Sequence, residues 1–442
     1  MRKRPRFAVL ALLLAFVLVM AACGDGSDDT TTTAGGGDDS TTTEPVDDAT
    51  TTEPVEDTTT SVATTEPPST EPIKIGMLAD LTSTFTPWGV NVRDGMRMAV
   101  QEINDAGGVD GRMIELIEQD SENDADIAID RFERLVEEGV VAVGGILSSG
   151  VGAPVAPVAE QMQIPTFLVK SGTEAALTRD SRYTFRTCLP AAPMDAAPIL
   201  QYVQEEGFTN VGVIVADYPW GQSLKSAVET TFEGSGVDYG EIQVAPVPPD
   251  TDFTPFVRNM ADAGAELVIA TGHPPGGAAI VSLSADLIPD AFVTGAWTPP
   301  DRSMALIDPE TAIGRFTDFA CADYTSDSYA ELAARYLAFS DNQFMSDDAV
   351  AGFAIVSMVA QAVGEVGDDP TAIAEYLHAN SFDMPGYAHP LSWTEWGELA
   401  ESQPIFFTIS AGPPPEGLNE AGDWWIEKLS QSAPLTPYEP GS

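Results

Sequence analysis

IKIGMLAD, Ile73 to Asp80, followed after a short gap by GVNVRDGMRMAVQEINDA, Gly89 to Ala106, is the stretch on which the fold turns. The first segment is a short apolar run bounded by an acid, the pattern of a buried strand. In the second, Val92, Met96, Ala99, Val100 and Ile103 recur at three- to four-residue spacing, which predicts an amphipathic helix. Gly107 and Gly108 stop it, since glycine takes the left-handed cap conformation at little cost.

The same alternation continues outward. MIELIEQD (Met113–Asp120), VVAVGGI (Val140–Ile146) and IPTFLV (Ile164–Val169) read as strands. IAIDRFERLVEEG (Ile127–Gly139) and APVAPVAEQM (Ala153–Met162) read as the helices between them. After a break at CLPAAPMD (Cys188–Asp195) the pattern restarts with a helix (Met194–Gly207) and the strand NVGVIVAD (Asn210–Asp217). Helix WGQSLKSAVETTFEGSG, strand YGEIQVA, helix FTPFVRNMADAG, strand AELVIATG, helix GGAAIVSLSAD and strand AFVTGAW complete a second set. Strands separated by helices predict parallel sheets covered on both faces. The fold class is therefore α/β, with two doubly wound, Rossmann-like units and a ligand cleft beyond the carboxyl ends of their strands.

The chain ends carry information on place. MRKRPR and the apolar run Phe7–Ala22 predict a secretory signal over residues 1–22. The run closes in VMAAC, which resembles the lipobox of bacterial lipoproteins, with Met20 where leucine is usual; lipidation of Cys23 is implied. Residues 23–72 then form a Thr-, Pro-, Asp- and Glu-rich tract with too little apolar surface to offset ordering, a predicted tether. The expected location is extracytoplasmic, anchored by lipid to the outer face of the cell membrane. A formal net charge of −48 argues against nucleic-acid binding through a basic patch. Beyond Cys23 only Cys188 and Cys321 remain, a candidate disulfide outside the membrane or else two buried thiols.

GGILSSG (Gly144–Gly150) places small hydroxyl residues between a strand and a helix. Such a turn suits a nucleophile, a phosphate cradle or the grip on another ligand. Nothing near Ser148 offers a base, and the HExxH, GxSxG and P-loop patterns are absent, so no enzyme is expected. Of the three histidines, His378 and His389 read as surface residues, while His273 follows a strand of the second unit and borders its cleft end. No cofactor or metal is called for.

The segment EINDAGGVDGRMIELIEQDSENDADIAIDRFERLV (Glu102–Val136) resembles the signature of branched-chain amino acid-type solute-binding proteins, type I periplasmic binding proteins that serve ABC importers. GGILSSGVGAPVAPVAEQMQIPTFLVKSGTEAALT, YTFRT, VGVIVADYPWGQSL and HPLSWTEWGEL match in order, so the resemblance covers roughly residues 73–410. It implies two lobes joined by three crossovers. Lobe 1 would be 73–188 with 323–402, lobe 2 would be 189–322 with 403–430, and 431–442 would form a tail. Cys188 and Cys321 then fall at crossovers, where a bridge would staple two hinge strands.

The resemblance also assigns a pocket. Ser148, with its neighbour Ser149, matches the family position that grips a ligand carboxylate, and a helix N-terminus favours an anion. Ser171 and Thr173 match the other half of that grip; simple helix capping is the bland alternative for these residues. Trp88 and Trp220 match aromatic walls, with Tyr218 beside the second, although each could also be a packing anchor. Trp297 stands where amino acid-binding members carry the acid that pairs with the ligand ammonium. Asp217 and Asp301 are the remaining acids that could replace it. The implied partners are a small solute, an ABC permease with its cytoplasmic ATPase and the membrane, for a monomeric protein. A sensory module of the same fold is the alternative.

Overall fold

The computed structural model describes residues 70–247, 251–271, 276–289, 292–294, 297–307 and 309–441. The signal, Cys23, nearly all of the tether and His273 lie outside these residues.

Five strands form the first sheet: β1 (Ile73–Ala79), β2 (Ile114–Asp120), β3 (Ala142–Ile146), β4 (Thr166–Leu168) and β5 (Thr184–Arg186). They lie in the order β2-β1-β3-β4-β5, and every pairing is parallel. Helices α1 (Thr86–Asp105), α2 (Ala125–Glu137) and α3 (Ser149–Met162) make the connections. Alternate residues of each strand face opposite sides. Leu78, Val143, Ile146 and Leu168 pack with Phe132, Leu135 and Val155 of α2 and α3, while Ile75 and Met77 join the cluster containing Val92 and Met96 of α1.

The second sheet comprises β6 (Val211–Ala216), β7 (Gln243–Ala245), β8 (Leu267–Ala270), β9 (Phe292–Thr294), β10 (Phe316–Ala320), β11 (Ile405–Ala411) and β12 (Trp424–Gln431). Its order is β12-β11-β10-β9-β8-β6-β7. From β6 to β10 it repeats the order of the first sheet in parallel strands. The last two strands add as antiparallel neighbours. Around it lie α4 (Ala192–Glu205), α5 (Pro219–Phe232), α6 (Thr254–Asp262), α7 (Gly276–Leu287), α8 (Pro300–Met304) and α9 (Pro309–Ala312).

Three helices after β10, namely α10 (Asp327–Phe339), α11 (Asp347–Val366) and α12 (Pro370–Ala379), return to the first sheet. Helix α11 is apolar nearly all round, long enough to cross a membrane, and mostly buried here as a core helix. Glycine allows its backbone to meet that of α1. A Cβ on Gly95 would strike the carbonyl of Ala349, and one on Gly352 would strike that of Val92.

The chain passes between the sheets after β5, after β10 and before β11. The first two passages are joined by a disulfide between Cys188 and Cys321, whose Cα atoms are 5.2 Å apart. The third lies alongside: Ala388 donates its N–H to the Cys321 carbonyl at 2.7 Å. The two histidines expected at the surface are not free there. His389 is buried and contacts the Pro390 carbonyl through Nδ1, and His378 packs its ring against Phe185 with Nε2 at 2.9 Å from the Arg182 carbonyl. Both belong to the returning segment, whose packing on the first sheet a helical or turn pattern alone does not reveal.

Candidate functional site

In each sheet the strand order reverses beside the first strand, between β1 and β3 and between β6 and β8. Loops leaving the carboxyl ends of strands diverge at such a point and leave a crevice. The two crevices face one another, and a cleft between them is lined by Phe85, Trp88, Leu147, Ser148, Ser149, Lys170, Leu189, Tyr218 and Trp220.

The aromatic walls are built by one device used twice. Pro87-Trp88-Gly89 opens α1, and Pro219-Trp220-Gly221 opens α5. Proline presets the backbone angle of the first helical turn and lacks a donor that would go unpaired there. Glycine lets that turn lie against the strand just left: a Cβ on Gly89 would overlap the Asp80 carbonyl, and one on Gly221 would overlap that of Ala216. Each tryptophan is thereby fixed at a strand end facing the cleft. An aromatic residue precedes each device, and the rings of Phe85 and Tyr218 approach to 6.0 Å across the cleft.

Ser148 is the N-cap of α3, its Oγ accepting from the Gly150 N–H at 3.1 Å. The capping role and a place on the cleft wall therefore coexist. Ser149 also lines the cleft, and its Oγ accepts from the Thr173 N–H at 3.3 Å. Ser171 and Thr173 are placed differently. The Ser171 hydroxyl is buried against Gly152 of α3 and has no hydrogen-bond partner. Thr173 bonds the Ser223 hydroxyl at 3.0 Å, joining one lobe to the other. Their carbonyls accept from Arg186, which is fully buried and held by Glu398 at 2.9 Å. The segment HPLSWTEWGEL thus braces the cleft loop from behind: Trp393 also donates to the Arg186 carbonyl at 2.6 Å.

Trp297 does not line the cleft. It lies immediately behind Lys170, buried, with φ of 51°. A bulky side chain at positive φ costs on the order of 1–3 kcal/mol and persists only where its surroundings fix it. The fixing contacts are visible. Its carbonyl accepts from Lys170 Nζ at 3.0 Å and from Trp88 Nε1 at 3.2 Å, two donors from the opposite lobe. Its indole donates to Asp195 at 2.9 Å, and its ring lies 5.1 Å from Lys170 Nζ. Neither Asp217 nor Asp301 lines the cleft: Asp217 is exposed and bonded to Gln222, and Asp301 pairs with Arg302 beside a separate depression. Phe85, Leu147, Lys170 and Leu189 are lining residues that sequence reasoning did not single out. Lys170 carried a signal, a rare lysine directly beyond a buried strand.

Lys170 is nearly buried and binds Asp347 at 2.8 Å, with Asp348 at 3.7 Å. Burial pulls its pKa down, but Asp347 and Asp348 outweigh burial and leave it raised, hence charged. Burial opposes ionisation of other acids in this interior. Burial lifts Asp318 and Asp348 well above the usual carboxylate range, and it lifts Asp195 to about 7 against the opposing pull of Trp297 and Lys170. Asp80 and Asp301 rise to about 6 for the same reason.

These shifts set the pH dependence. In the unfolded chain the same groups ionise near 3.8, whereas the folded chain keeps their protons until pH 6 or 7. Between those values the folded state binds more protons, so stability falls as pH rises. Asp120 and Asp323, held low, act in the opposite sense only below the ordinary carboxylate range, and His389, whose pKa burial lowers from 6.5, offsets part of the trend below that pH. The urea midpoint is expected to be higher at about pH 5 than at about pH 7.5, and Asp195→Asn should flatten the slope. A midpoint that climbs across this window would contradict the assignment.

Among the described residues the one cluster with metal-ligand character is Cys188, Cys321 and Asp347, and two of its donors are spent in the disulfide.

Comparison with known proteins agrees with this geometry. A family model described as periplasmic binding protein matches residues 72–408. A Leu/Ile/Val-binding protein of Rhizobium johnstonii is 26% identical over 352 residues, covering 75% of this chain and 94% of the relative. A leucine-, isoleucine-, valine-, threonine- and alanine-binding protein of Pseudomonas aeruginosa is 24% identical, covering 75% and 88%. Among solved structures, a fatty acid ABC transporter substrate-binding protein from Thermomonospora curvata superposes with a TM-score of 0.70 at 17% identity, over 81% of this chain and 92% of that one. A solute-binding protein from R. palustris in complex with benzoate also gives 0.70, at 18% identity over 84% and 98%. These relatives are binding proteins rather than enzymes, and the fold they share is that of two α/β lobes. With the match running from β1 into β11 and so across the cleft, the chain belongs to the periplasmic binding protein family.

Proposed function

We propose that this chain is an extracytoplasmic solute-binding lipoprotein that captures a small carboxylate-bearing solute and delivers it to an ABC importer. The observation that carries the reading is the cleft itself. It joins the switch points of two sheets, sets Trp88 of one lobe across from Trp220 of the other, and places Ser148 and Ser149 at the N-terminus of α3. Unpaired N–H groups and partial positive charge at such a terminus favour an anion. Relatives named for leucine, isoleucine and valine, and a structural neighbour holding benzoate, support a carboxylate with an apolar body. Solute bound to the first lobe is covered by the second, and contacts made only when shut favour the closed form. Anchoring through Cys23, a monomeric state and docking on a permease belong to the same proposal.

The test is titration of the purified protein with branched-chain amino acids, aliphatic and aromatic carboxylates and the matching amides, followed by tryptophan fluorescence. Carboxylates are expected to bind and amides not. Gly172→Ala is expected to weaken that binding about tenfold or more, because overpacking costs about 1–3 kcal/mol. A Cβ on Gly172 would lie 2.5 Å from the Trp220 ring, which belongs to the other lobe. Binding of amides as tightly as acids, or of no carboxylate at all, would sink the proposal.

A further inference from the structure

We infer that Lys170 makes this cleft selective for apolar monocarboxylates that lack an α-amino group, an inference that rests on the cleft being the solute site. Of the described residues that line it, Lys170 is the only charged one, and no aspartate or glutamate is among them. Its ammonium has three donors. Two are engaged, with the Trp297 carbonyl and with Asp347, which leaves one for an anion. Asp347 compensates the charge from behind without reaching the cleft surface.

A ligand ammonium would meet the opposite conditions. The Trp297 carbonyl behind Lys170 already receives Lys170 and Trp88. Asp195 behind it gives one oxygen to the Trp297 indole and does not line the cleft. An ammonium brought into this nearly buried space would face the like charge of Lys170 with no acid among the described residues of the cleft wall to pair with it. Two like charges a few ångströms apart at a partly buried site differ in binding by on the order of 100-fold from the case with one removed. The remaining wall, Phe85, Trp88, Leu147, Leu189 and Trp220, is apolar and suits an apolar ligand body.

Matched pairs differing only in the amino group test this: isocaproate against leucine, and hydrocinnamate against phenylalanine, measured by calorimetry. In the native protein the amino-free member of at least one pair is expected to bind on the order of 100-fold more tightly. Lys170→Met should weaken that member at least about tenfold and narrow the gap within the pair. Because Lys170→Met strands Asp347, the double change Lys170→Met with Asp347→Asn, which removes the charge pair as a unit, is measured alongside and should show the same narrowing. Leucine and phenylalanine each binding as well as its amino-free counterpart overturns the inference while leaving the cleft as the solute site. An unchanged preference in the double variant overturns the role of Lys170. If no member of either pair binds, the solute-site reading itself fails and the inference falls with it.

Discussion

Reduction of the Cys188–Cys321 bridge, or Cys321→Ser, is expected to lower the unfolding free energy by about 3–5 kcal/mol. The two cysteines are 133 residues apart in sequence. A cross-link over so long a span removes much of the freedom of the unfolded chain, and the span takes in α4 through β10, most of the second sheet. Both cysteines are fully buried, so the reduced form would also leave two thiols close to the Asp347 carboxylate, 3.4 and 3.8 Å from the sulfurs in the oxidised protein. Urea unfolding followed with and without reductant reads the effect directly. Coincident curves would show that the bridge contributes nothing to stability.

Glu398→Ala should cost a similar amount, about 3–5 kcal/mol, through a different mechanism. Removing the acid leaves the Arg186 guanidinium charged and buried with only carbonyl partners. Those partners are the Ser171 and Thr173 carbonyls, so the loss reaches the loop behind the cleft. Solute affinity is expected to fall together with the thermal midpoint. Glu398→Gln, which keeps an acceptor in place, should be the milder change. A loss below about 1 kcal/mol for the alanine variant would mean that the pair is not bearing on the fold as its burial suggests.

The alternation of strands and helices was legible because each buried element keeps one period over several turns, as α1 does from Val92 to Ile103. The edge strand was not legible in its extent. YGEIQVA reads as seven strand residues, yet only Gln243–Ala245 pair, because Gly240 turns at φ of 53° and the neighbouring residues at the sheet edge are half-exposed or exposed. Within the cleft, Ser148, Ser149, Trp88, Tyr218 and Trp220 were recognisable because each sits directly after a strand or opens a helix. Lys170 was missed for a physical reason: its importance comes from Asp347, distant by 177 positions, and from a carbonyl in the other lobe. The positive φ of Trp297 likewise depends on donors that only the folded chain brings together. His378 and His389 were misread because neither pattern nor polarity records which surface a returning segment will cover.

The paired proline-tryptophan-glycine turns tie each wall of the cleft to its own lobe. Each indole is mounted on a helix whose first turn rests on the backbone of its own strand, so neither wall can move without its lobe. The distance between the two walls then follows from a single variable, the angle between the lobes. Under the proposed function the cleft works as a caliper, gauging the thickness of what it holds. A flat ring lets it shut; a solute thicker by one substituent leaves it ajar, however well its carboxylate is gripped.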